Sequence, residues 1–182
     1  MGERWSYLNY ARLLEARDDL EGYRKYLGRL LESDGKRLDA GSILELGRIV
    51  GLEPCPVEDA KRVVHLIRSY PHDPASHPGD HLALAMALYR AGECDPARDA
   101  IQQYMTQDQE GAWYAHPLMA MVEQGLGHRR EAEEQVEKAR RKRDEIREHA
   151  ASRRHIFDPA TFEYDLLLRQ AESALGAKGG PS

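Results

Sequence analysis

An internal repeat constrains this 182-residue chain more than any other feature of it. Ala85, Leu88, Gly92, Ala97 and Ile101 are matched by Ala120, Glu123, Gly127, Ala132 and Val136, and each partner lies 35 residues further on. Each copy within residues 80–139 has room for two short amphipathic helices, with a tight turn at Gly92 and again at Gly127. A fixed period of this size points to a helical solenoid, because one helix pair cannot bury its apolar face alone and must stack on the next.

The same periodicity extends outwards in weaker form. Trp5, Leu8, Leu13 and Leu14 predict a helix over 4–16, and Leu20, Tyr23, Leu27, Leu30 and Leu31 predict its partner. Asp39 is a plausible N-cap for the next helix, built on Ile43, Leu44, Leu46 and Val50. The stretch Gly51 to Pro56 reads as an enlarged turn, since Pro54 and Pro56 block helix continuation. Val57, Val63, Val64, Leu66 and Ile67 build the partner helix. Three prolines make residues 70–80 a loop. Asp95-Pro96 and Asp158-Pro159 read as N-caps followed by proline at the first helical position. The segment from Arg129 to His149 is long and charged, with Glu131, Glu133, Glu134 and Glu137 early and Arg140 to Arg143 later, as the helix dipole favours. The expected organisation is therefore four pairs, at 4–33, 39–69, 80–107 and 112–149, with a capping helix at 159–175 and a flexible tail at 176–182.

In these residues the chain resembles the tetratricopeptide repeat (TPR) family. The small or crossing position of the first helix falls at Ala11, Gly47, Ala85 and Ala120, and that of the second at Tyr23, Ala60, Ala97 and Ala132. The large position that follows is Leu27, Val64, Ile101 and Val136. The third and fourth copies, ALYRAGECDPARDAI and VEQGLGHRREAEEQV, look like turns of that family. The first two are degenerate, with Tyr23 in place of the expected alanine. DDLEGYRKYLGRLLE and HPLMAMVEQGLGHRREA are further similar to the C-terminal TPR module of large bacterial signalling proteins that carry Ser/Thr kinase or propeller domains. The resemblance implies an all-α, right-handed α-solenoid over 1–175 that works as a non-catalytic protein–protein interaction or scaffolding module. It would be the module alone, as a free protein or as a fragment, because no kinase Gly-rich loop or His-Arg-Asp stretch is present.

Composition narrows the partners. The net charge of −5 disfavours general nucleic-acid or anionic-membrane binding. No apolar run approaches the roughly 20 residues needed to span a bilayer, and the first 30 residues are charged throughout, so a cytoplasmic setting without a signal peptide is expected. Cys55 and Cys94 are expected to be ordinary reduced thiols.

In the implied fold the first helix of each pair lines a concave groove. The crossing register places Leu8, Arg12, Leu44, Arg48, Leu82, Met86, Tyr89, Arg90, Met121 and Gln124 on that wall. Arg12, Arg48 and Arg90 come from three consecutive repeats. Their planar forks suit carboxylates and the methionines adapt to varied shapes, so an acidic peptide or helix would fit. The alternative role for these arginines is pairing inside the molecule. The chaperone-type carboxylate clamp is not expected, because arginine and methionine stand where lysine and asparagine are needed. Two rival functions remain. One is a structural spacer or self-association module. The other is a small metal-binding protein or enzyme using the loop with His72, Asp73, His77, Asp80 and His81, although no spacing there matches a zinc pattern. No nucleophile motif is present, and neither a catalytic residue nor a cofactor is expected.

Overall fold

The computed structural model describes residues 19–32, 39–70, 78–153 and 159–176. Eight α-helices and one short 3₁₀ turn lie in these stretches, and the described residues contain no strand. We number them α1 (Leu20–Glu32), α2 (Ala40–Leu52), α3 (Val57–Ser69), α4 (Pro78–Arg90), α5 (Cys94–Gln107), α6 (His116–Gly125), α7 (Arg129–Arg153) and α8 (Pro159–Gly176), with the 3₁₀ turn at Ala112–Ala115. The expected first helix, at 4–16, lies outside the described residues. The chain divides into two compact units, residues 1–104 and 105–182.

In the first unit α2 and α3 form a packed hairpin, α4 packs on both, and α1 contacts α2 and α3. Apolar side chains recurring at three to four residues give each helix one core-facing stripe. In α1 the stripe is Tyr23, Leu27, Leu30 and Leu31, and in α3 it is Ala60, Val63, Val64 and Ile67. Asp39 caps α2 as read, accepting a hydrogen bond of 2.9 Å from the Ser42 amide. Tyr23, the departure from the alanine pattern, is 1 % exposed. Its hydroxyl donates to the carbonyl of Ile49 in α2, so burial of the phenol leaves no unpaired polar group.

Several boundaries differ from the sequence reading. Helix α4 already begins at Pro78, inside the expected loop of 70–80, the stretch 112–115 is a 3₁₀ turn ahead of α6, and α7 runs on to Arg153. Helix α2 runs on through Gly51 to Leu52, so the enlarged turn is shorter than expected. Within this last turn the bare flank of Gly51 receives Met86 of α4. Helix α5 begins at Cys94, not after Asp95. The amide of Ala97 already bonds to Glu93 O at 3.0 Å, so Asp95 sits in the first turn, where it pairs with Arg98 at 3.0 Å. Pro96 is tolerated there because the first amides of a helix have no partner inside it.

In the second unit α6 packs against α7 and α8, and α7 against α8. Pro159 stands at the first helical position of α8; Asp158, its expected cap, lies outside the described residues. The buried side of α8 is Tyr164, Leu166, Leu167, Leu168 and Ala171. Tyr164 donates to Ala139 O of α7 at 3.0 Å, and its ring lies 5.2 Å from Trp113, over which the Lys142 ammonium sits at 5.6 Å. Desolvation holds the Tyr164 phenol above its ordinary pKa. The outer side of α7 is solvated and laced with pairs such as Arg129–Glu133 and Arg141–Glu137. Exposed pairs of this kind contribute little stability.

The repeat register holds wherever it is described. Ala85, Ala120, Ala60, Ala97 and Ala132 are all essentially buried, as are Leu27, Val64, Ile101 and Val136. At Ala97, which has no exposure, a leucine would overpack the site. Ala97→Leu is expected to cost about 1–3 kcal/mol in urea unfolding; an unchanged midpoint would place Ala97 outside the close contact.

Candidate functional site

The repeated turn defines the local geometry from which the candidate wall is built. In the first copy the Glu93 amide bonds to Leu88 O at 2.9 Å and the Gly92 amide to Tyr89 O at 3.0 Å. In the second the His128 amide bonds to Glu123 O at 2.9 Å and the Gly127 amide to Gln124 O at 3.1 Å. Gly92 and Gly127 both have φ of 81°. These are two Schellman motifs, each with glycine in the left-handed conformation that side chains resist. The 35-residue offset of the sequence is thus an offset between two equal backbone turns. Tyr89 and Gln124 occupy the same place in them.

Their side-chain contacts differ. Such a turn commonly carries an apolar contact between the residues that here are Leu88 and Glu93, or Glu123 and His128. The second copy instead sets the His128 imidazole Nδ1 2.7 Å from the Glu123 carboxylate, whose side chain is mostly buried. In the first copy Glu93 reaches Arg68 of α3 at 3.7 Å. Sequence reasoning matched Leu88 with Glu123 but missed this Glu–His pair. Its signal was the polar residue at a position that is apolar in the preceding copy.

Of the residues placed on the wall, Leu8 and Arg12 lie outside the described residues. Leu82, Met86 and Met121 are buried, Met86 completely, so they are packing residues and present no open surface. The cause for Met86 is the close approach of α2 and α4. A Cβ built on Gly47 would lie 2.7 Å from Ala83 O, and one on Gly51 would lie 2.6 Å from Met86 Cβ. The Met86 side chain fills the space that Gly51 leaves. Leu44, Arg48, Tyr89, Arg90 and Gln124 are half-buried.

Arg90 has a structural function at this place. Its guanidinium donates to Gly51 O at 2.9 Å and lies 5.4 Å from the centre of the Tyr89 ring. Gly51 is in the last turn of α2, where carbonyls lack partners inside the helix and the dipole favours a cation. The intramolecular role is therefore real for Arg90, with the Gly51 carbonyl as an acceptor. Burial pushes the Tyr89 phenol and the Cys55 thiol above their usual pKa values, and the nearby Arg90 charge offsets part of each shift. Cys94 is raised by burial too, with Asp95 adding to it. Both cysteines are free thiols. In the second unit Gln124 Oε1 is buried without a hydrogen-bond partner.

Of the His-rich loop, His72, Asp73 and His77 lie outside the described residues. Asp80 and His81 are buried in the first turn of α4. Among the described residues, no three His, Cys, Asp or Glu side chains are grouped closely enough to hold a metal ion. No described helix is long and apolar enough to cross a membrane.

No family model and no curated protein matches the sequence. Among solved structures, the chain is similar to the nearly identical TPR-like repeats described as those of a kinesin light chain from Podosopora anserina. The identity is 18 %, the match covers 98 % of this chain and 90 % of that one, and the TM-score is 0.48.

Proposed function

We propose that residues 1–175 form one TPR-like array, without catalytic function, that holds a segment of a partner protein. The observation that carries this reading is the recurrence of one turn, with the same bonds and the same glycine conformation, in two successive copies. Stacked copies of a helix pair are an interaction architecture, because their first helices line up into an extended surface. The partner segment would lie along the first-helix face of the first unit, over Arg48, Tyr89 and Arg90; Arg12, expected on the same face, lies outside the described residues. Leu82 and Met86 are buried beneath that face. Arginine in this setting favours an acidic segment, extended or helical, and the contact is sensitive to salt. A cytoplasmic place in bacterial signalling belongs to the same proposal and rests on the resemblance of the turns alone.

Because Arg90 also caps α2, its removal would confound stability with binding. The test is therefore the Arg12→Ala/Arg48→Ala double variant, in an affinity pull-down from the native cell with mass spectrometry. The expected result is loss of a salt-sensitive partner by a double variant that still folds, with its melting temperature measured alongside because Arg48 also has a partner inside the molecule. Full recovery of that partner by the folded double variant would overturn the groove reading.

A further inference from the structure

We draw no further inference here: the strongest candidate, the cleft between the last turn of α1 and the outward side of α3, has Leu31 and Leu66 rimmed by Glu32 and Glu58 as well as by Lys61, Arg62 and His65, and nothing in the structure shows what covers it.

Discussion

A chain ending at Arg154, and so lacking α8, is expected to aggregate or to lose cooperative unfolding. Helix α8 buries Tyr164, Leu166, Leu167, Leu168 and Ala171 within the second unit. Removing it uncovers the surfaces of α6 and α7 against which it packs. Fully burying one leucine contributes about 1.5–3 kcal/mol, so three of them together approach the whole stability of an ordinary domain, about 5–15 kcal/mol. The Tyr164 bond to Ala139 O would go as well. A milder version is Leu167→Ala at a site with no exposure, which should cost about 2–5 kcal/mol. Light scattering and thermal unfolding of the truncated chain decide the matter. A soluble, cooperatively unfolding product would show that α8 is not the closing element of the repeats.

The second large effect is expected at Gly47. In an open helix, alanine is better than glycine by about 1 kcal/mol. Gly28 in α1 is such a place, since an added Cβ there meets nothing within 4 Å, and Gly28→Ala should stabilise by about 0.5–1 kcal/mol. At Gly47 the sign reverses. The new Cβ would stand 2.7 Å from Ala83 O, a backbone atom that cannot swing aside as a side chain can. Helices α2 and α4 would have to separate along their contact. Gly47→Ala is expected to cost about 3 kcal/mol, the upper end of the overpacking range. Urea unfolding of the two variants side by side gives opposite shifts if the α2–α4 approach is as close as described. A stabilising Gly47→Ala would rule that approach out.

Much of this was legible in the residues because repeats advertise themselves. The spacing of Ala85, Gly92 and Ala97 against Ala120, Gly127 and Ala132 fixed both turns, since only glycine takes φ of 81° cheaply. Asp39 was legible as a cap for a similar reason, its side chain being suited to the open amides. What could not be read depends on contacts between segments far apart in sequence. Gly51 looked like a turn residue because glycine usually breaks a helix; what the sequence did not show is that Met86, 35 positions away, packs against its bare flank. Tyr23 looked like a defect until the Ile49 carbonyl supplied a partner for its hydroxyl. The start of α5 was misplaced because Asp-Pro is a strong local signal, and the preceding Schellman turn leads the chain into the helix at Cys94, ahead of Asp95.

For the candidate wall the limit was of another kind. Register alone selects which side a residue faces, not how closely the next helix approaches. Met86 was therefore read as surface, while the small flank at Gly51 lets α4 come close enough to bury it. Arg90 was read as a first-helix residue at the groove; its bond to Gly51 O belongs to the tertiary packing and has no local signature.

The central claim is that residues 80–139 are two copies of one helix–turn–helix unit, and amide hydrogen exchange tests it most directly. The Glu93 and His128 amides each close the outer bond of a Schellman turn, although both residues stand just past a helix end. Ordinarily such amides face solvent and exchange at coil rates. The account predicts marked protection at both positions, comparable between the copies and lost together with the helices in denaturant. Coil-like exchange at either Glu93 or His128 in the folded protein would contradict it, because the repeat would then be one of sequence without a repeat of structure.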